Sequence, residues 1–199
     1  ADKTLINNTK NKAIRTKAIS PPGSKSHDHL IGKCTSCHLC VSKCPSNVLK
    51  PAFAEYGMAG IMQPMLNFDN GFCNYDCTLC SEVCPTGAIQ HLTVEQKHVT
   101  QTGQVHFIIE NCIVYTDETS CGACSEHCPT QAVSMIPYKN GLTIPHTVTS
   151  ICVGCGGCEY VCPAKPYKAI YIEGIATHKN IIIKKEKVDK SIKVDDFGF

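Results

Sequence analysis

Sixteen cysteines fall into four copies of one run, and each copy ends in Cys-Pro. The copies read CTSCHLCVSKCP (Cys34 to Pro45), CNYDCTLCSEVCP (Cys73 to Pro85), CIVYTDETSCGACSEHCP (Cys112 to Pro129) and CVGCGGCEYVCP (Cys152 to Pro163). No cysteine lies outside them. Their first cysteines stand 39, 39 and 40 residues apart, so the chain is a fourfold internal repeat. With no Trp, seven Tyr and six Phe, the apolar core is thin, and whatever the cysteines hold must help fill the interior.

The first and fourth copies are Cys-x2-Cys-x2-Cys-x3-Cys-Pro, the ligand run that bacterial ferredoxins use for [4Fe-4S] clusters. A cubane presents four irons, each needing one outward thiolate. Three cysteines at steps of three residues fit a tight loop around one face of the cube. The fourth points away from that loop, and in two-cluster ferredoxins it serves the other cluster. Motif two widens the first gap (Cys73-x3-Cys77), and motif three inserts eight residues, Ile113 to Ser120, between Cys112 and Cys121. Neither loses a ligand. The candidate cofactor-binding and metal-ligating residues are therefore Cys34, Cys37, Cys40 and Cys44; Cys73, Cys77, Cys80 and Cys84; Cys112, Cys121, Cys124 and Cys128; and Cys152, Cys155, Cys158 and Cys162. Four quartets imply four [4Fe-4S] clusters. Structural zinc uses two separated Cys-x2-Cys knuckles per ion, which does not suit four thiols in one short run. Disulfide scaffolds are typically chains under about 80 residues and have no use for threefold steps.

Each motif is followed by a small-to-apolar stretch: Ser46-Asn47-Val48-Leu49, Thr86-Gly87-Ala88-Ile89, Thr130-Gln131-Ala132-Val133 and Lys168-Ala169-Ile170. These read as short helical turns running into strands. Strand-like segments precede motif three (Val105 to Ile109) and follow motif four (Ile170 to Ile172). Turns are expected at Pro21-Pro22-Gly23, Asn70-Gly71 and Asn140-Gly141. The fold class is α+β: two ferredoxin-like modules with short hairpins and short helices, the clusters acting as core. Residues 1–33 read as a polar basic leader on the surface, 34–178 as the four-motif domain, and 179–199 as a C-terminal strand and tail.

Charge divides the same way. Residues 1–33 carry a net +5, 34–162 a net −6, and 163–199 a net +3. Arg15 is the sole arginine, so bidentate phosphate or guanine contacts are almost absent and nucleic acid is not an expected partner. No P-loop, Rossmann fingerprint or nucleophile elbow occurs. His38 inside motif one and His127 beside Cys128 are candidates to hydrogen-bond a cluster sulfur, with solvated loop histidines the alternative. His27 and His29 are a weak metal pair. No run of about 18 apolar residues is present, so nothing reads as a bilayer span. Beginning at Ala1 rather than Met, the chain reads as a processed mature form or an excised domain.

The motifs carry a family resemblance. Pro21-Pro22-Gly23, motif one, the elongated third motif and Cys152-x-Gly154-Cys155-Gly156-x-Cys158-Glu159 resemble the four-cluster polyferredoxins of periplasmic nitrate reductase and methylamine utilisation. The chain also resembles the soluble C-terminal part of membrane-bound 4Fe-4S proteins. The resemblance implies an electron carrier with no catalytic residues. Its clusters would form a wire from a quinol-oxidising membrane protein to a reductase. It also implies membrane association at the periplasmic face, with the cytoplasm as alternative. A catalytic iron–sulfur subunit with an open cluster iron or a further cofactor is the competing function. In the wider family the motifs pair in a nested way. That implies Cys34, Cys37 and Cys40 with Cys162, and Cys152, Cys155 and Cys158 with Cys44. It likewise implies Cys73, Cys77 and Cys80 with Cys128, and Cys112, Cys121 and Cys124 with Cys84. Sequential pairing, motif one with two and three with four, is the alternative.

Overall fold

A computed structural model describes residues 10–181. The chain enters through the leader and helix α1 (His27–Lys33), whose N-cap Ser26 accepts the backbone N–H of His29. Helix α2 (Leu39–Ser42) follows, then strand β1 (Leu49–Pro51), which pairs with β2 (Pro64–Leu66) in an antiparallel hairpin. Helix α3 (Leu79–Glu82) lies within motif two. Helix α4 (Val94–Val99) starts at a capping box, Thr93 Oγ1 to the Gln96 N–H and Gln96 back to the Thr93 N–H. It runs directly into β3 (Thr100–Phe107). Motif three contributes α5 (Ile113–Thr116) and α6 (Ala123–Glu126), and β4 (Val133–Pro137) pairs with β5 (Thr143–Thr147). Motif four contributes α7 (Gly157–Val161), and β6 (Ile170–Asn180) closes antiparallel on β3.

Two modules result. Motif one, the β1–β2 hairpin and motif two form the first, where α2 packs on α3. Motif three, the β4–β5 hairpin and motif four form the second, where α6 packs on α7. The second is also clasped by β3 and β6: β3 starts five residues ahead of the expected segment at Val105 and stops at Phe107, and β6 starts at Ile170 as expected but runs on to Asn180. The expected helical turns fall elsewhere than the sequence suggests. They sit inside the motifs and end one or two residues before each closing cysteine, because x3 spacing is about one helical turn and the following Pro disfavours helical geometry at the cysteine. At the β4–β5 turn Asn140 and Gly141 both have positive φ (54° and 73°), the primed-turn geometry that Asn-Gly favours.

The leader differs from expectation. Residues 18–24 are buried rather than laid on the surface. Ile19 accepts the Leu66 N–H at 2.8 Å, and Gly23 accepts that of Gln90 at 2.9 Å. The Ala18 carbonyl passes β6 so closely at Gly174 that a Cβ there would lie 2.0 Å from it. The nonpolar run Ala18 to Gly23 supplies the missing packing for β2 and β6. Of the C-terminal segment, β6 reaches Asn180 and Ile181 is buried; positions 182–199 lie outside the described residues. Among the described residues no helix is long and apolar enough to cross a membrane.

Candidate metal centres

The sixteen thiols gather into four quartets, each mixing two motifs and ranging from buried to exposed. Quartet one is Cys34, Cys37 and Cys40 with Cys84, which together line one cavity. Quartet two is Cys73, Cys77 and Cys80 with Cys44. Quartet three is Cys112, Cys121 and Cys124 with Cys162. In quartet four, Cys152, Cys155 and Cys158 share their electrostatic surroundings with Cys128. The three-plus-one split read from spacing thus describes the arrangement.

The nested partnership does not. Cys162 lies with motif three rather than motif one, and Cys44 with motif two rather than motif four. Likewise Cys128 lies with motif four, and Cys84 with motif one. The reason is topological. Each short hairpin turns the chain straight back, so motif two lands on motif one before the chain leaves the first module, and β4–β5 does the same in the second.

The donor sets suit a multi-atom iron–sulfur group. Each of the first three quartets lines one cavity of its own. Among the described residues no three Cys, His, Asp or Glu side chains converge on a single-ion position. Backbone donors face the sulfurs. Ser36 N–H lies 3.4 Å from Cys34 Sγ, Ile89 N–H 3.3 Å from Cys84 Sγ, and Ala169 N–H 3.4 Å from Cys162 Sγ. Burial, reinforced by neighbouring thiols, pushes Cys40 and Cys124 up to about 12. Burial likewise pushes Cys155 up to about 12 and Cys152 to about 11, both opposed by backbone donors. Thiolates packed this way need a compensating metal charge.

The quartets follow one another in space. Cys40 of quartet one lies within electrostatic reach of Cys80 in quartet two. Cys73 of quartet two reaches Cys155 of quartet four, and Cys158 of quartet four reaches Cys124 of quartet three. The spatial order is therefore one, two, four, three. The two modules meet at its middle. There Gly156, at φ 79°, lies flat on Phe68, whose ring atoms stand 2.2 Å from where a Cβ would be.

The candidate histidines serve other purposes. His38 Nε2 donates to the Met62 carbonyl at 2.8 Å, and His127 Nδ1 to the Ala123 carbonyl at 3.0 Å; neither bonds a sulfur. His27 and His29 tie α1 to the carbonyls of Ala18 and Gly87 instead of sharing a metal. Two polar residues not singled out in the sequence sit against the quartets. Lys97 donates to the carbonyls of Asn74 and Cys77, and Gln101 to those of Thr149 and Cys152. The Thr93 and Gln96 capping box is a readable signal for the helix that carries Lys97, but not for the lysine's burial.

Two modules, each exchanging a thiol between paired quartets, define a dicluster iron–sulfur protein of the ferredoxin type. The profile of the 4Fe-4S dicluster domain matches residues 33–88 and 119–166, more than half of the chain, and the chain belongs to that family. The first match holds motifs one and two and the second holds motifs three and four without Cys112, the same division the quartets make. Similar full-length proteins include the methylamine utilization ferredoxin-type protein MauM of Methylobacillus flagellatus, 30% identical over 150 residues. That alignment covers 72% of this chain and 63% of the relative. MauM of Methylorubrum extorquens is 32% identical over 153 residues, covering 73% and 68%. The ferredoxin-type protein NapG of Escherichia coli is 27% identical over 153 residues, covering 72% and 65%. The chain is an iron–sulfur electron-transfer protein of this kind.

Proposed function

We propose that each thiol quartet holds one [4Fe-4S] cluster, which supplies one-electron chemistry, and that the chain conducts electrons along the order one, two, four, three. The observation that carries this reading is an unbroken series of contacts between ligand-bearing segments: α2, with Cys40, packs on α3, with Cys80; the Cys73 N–H donates to the Cys155 carbonyl; and α6, with Cys124, packs on α7, with Cys158. Tunnelling falls steeply with distance, so closely spaced stations favour conduction over isolated storage. The ends of the series are quartets one and three. At the first end Cys37 is exposed, beside the half-exposed side chains of Leu39 and Met62. At the other, Cys121 borders the inserted loop of motif three. These are the faces where a donor and an acceptor approach. Each quartet supplies four thiols, so substrate chemistry at an open iron is not part of the reading.

The partners follow from the family resemblance. The donor is a quinol-oxidising membrane protein, the acceptor is a reductase, and the site of action is the periplasmic face of the membrane. Similarity to ferredoxin-type proteins of methylamine utilization supports a role beside a dedicated oxidoreductase. Anaerobic metal analysis with potentiometric EPR tests the cluster reading. About 16 iron and 16 sulfide per chain and four separate one-electron couples are expected. Stoichiometric zinc, or about 12 iron in fully loaded protein, overturns it. Fractionation of the native protein tests the compartment.

A further inference from the structure

Two buried donors face ligand loops and a third holds the helix ahead of motif one, and they differ in charge. Gln63, 3% exposed, donates to the Ile31 carbonyl ahead of motif one at 3.3 Å. Gln101, 3% exposed, donates to Thr149 at 2.8 Å and to Cys152 at 2.5 Å in motif four. Both are neutral amides. The position serving motif two is Lys97, 7% exposed, whose Nζ donates to Asn74 at 2.5 Å and to Cys77 more closely still. The same side chain lines one cavity with Cys73. That cavity also holds Cys155 of quartet four, where the modules meet. The acid closest in sequence to these loops, Asp76, has a side chain 74% exposed and is engaged by His98. Solvent screens it in a way that it cannot screen Lys97.

We infer that Lys97 sets the reduction potential of the cluster held by quartet two, making it the electron-accepting station next to the module junction. A one-electron reduction adds one negative charge to the cluster. A fixed cation in a low-dielectric site stabilises that added charge, whereas an amide contributes only its dipole. Quartet two would then lie above its neutral-amide neighbours, quartets one and four. Electrons entering at quartet one would collect there before crossing between modules, and electrons entering at quartet three would collect there after crossing. The inference rests on the four-cluster reading. Metal analysis of the unaltered protein tests that reading separately: a wild type without four clusters fails the reading and not the role of Lys97.

The test compares Lys97→Gln and Lys97→Arg by potentiometric EPR, with iron content and visible absorbance measured on the same samples. Gln keeps amide donors for the Asn74 and Cys77 carbonyls and removes the charge. The expected result is full iron content and at least a tenfold fall in the reduction equilibrium of one couple, about 59 mV for one electron. Lys97→Arg should restore that couple. An iron-replete Lys97→Gln protein with four unshifted couples overturns the inference. If Lys97→Gln loses about four irons, retention of iron and potential in Lys97→Arg supports a role for the charge. Equal loss in both variants makes Lys97 a packing residue and overturns the inference.

Discussion

The backbone N–H of Cys73 donates to the carbonyl of Cys155 at 2.9 Å, joining a ligand loop of the first module to one of the second. Beside it the Phe68 ring covers Gly156. This contact fixes the gap between quartets two and four, the single crossing from module to module in the spatial order. Gly156→Ala would place a Cβ 2.2 Å from the ring at a backbone φ of 79°, so the loop must shift or the ring must leave. The expected outcome is weaker spin–spin splitting in the EPR spectrum of the fully reduced protein, with slower passage of electrons between modules. Gly141→Ala, also at positive φ but with open space around it, is the control and should leave the splitting unchanged.

Removing Cys44 distinguishes the pairing seen in the structure from the nested one. Cys44→Ser should weaken the cluster of Cys73, Cys77 and Cys80, with iron falling from about 16 to about 12 per chain under mild chelation. The couple sensitive to Lys97→Gln should be the one that changes. Cys162→Ser should affect instead the cluster of Cys112, Cys121 and Cys124. Loss of the signal belonging to Cys152, Cys155 and Cys158 in the Cys44 variant would contradict the arrangement.

Spacing alone carried the three-plus-one grouping of the thiols, because Cys-x2-Cys-x2-Cys is a local geometry. It did not carry the pairing. Cys44 and Cys162 have the same local surroundings, a helical turn before and a Pro after, and only the path of the chain between motifs decides which quartet each reaches. The β1–β2 hairpin is three residues per strand, too weak a pattern to read with assurance. The leader was misjudged for a related reason. Its seven Lys and Arg mark it as solvated, yet the short nonpolar stretch around Ile19 is what packs. Lys97 was hidden too, since burial of a lysine runs against its ordinary preference.

Arg15 shows why a basic leader can hold a buried carboxylate. Its guanidinium pairs with Glu159 Oε1, while Glu159 Oε2 accepts the Ile172 N–H at 2.8 Å. Burial raises the Glu159 carboxyl above its usual range, and Arg15 opposes that rise. Arg15→Met should therefore destabilise the second module by about 2 kcal/mol, below the cost for a fully buried pair because Arg15 is 38% exposed. The sign with pH is fixed. Without Arg15 the folded state holds a proton on Glu159 that the unfolded state releases near neutrality. Stability of the variant should then rise as pH falls from 7 toward the usual carboxylate range, narrowing its deficit. Anaerobic bleaching in guanidinium at pH 7 and pH 5.5 measures this; a deficit that does not narrow would count against the pair.

His178 gives the clasp between leader and β6 the opposite dependence. Its Nε2 lies 2.8 Å from Ser20 Oγ, its N–H donates to the Lys25 carbonyl at 2.7 Å, and its buried Nδ1 has no partner. Burial, with His27 nearby, lowers it from 6.5 to about 4. Between those values the unfolded chain binds a proton that the folded chain refuses, so stability is fully present above 6.5 and is lost as pH falls toward 4. The loss is on the order of 1 to 3 kcal/mol. Because the contact is local, it should first appear as opening of the leader from β6 rather than loss of the thiol quartets. Hydrogen exchange across residues 170–180, corrected for its intrinsic pH dependence, should accelerate between pH 7 and pH 5 while visible absorbance holds. His178→Gln, which cannot take up the proton, should flatten that acceleration. Equal acceleration in the variant would mean that another group opens the clasp.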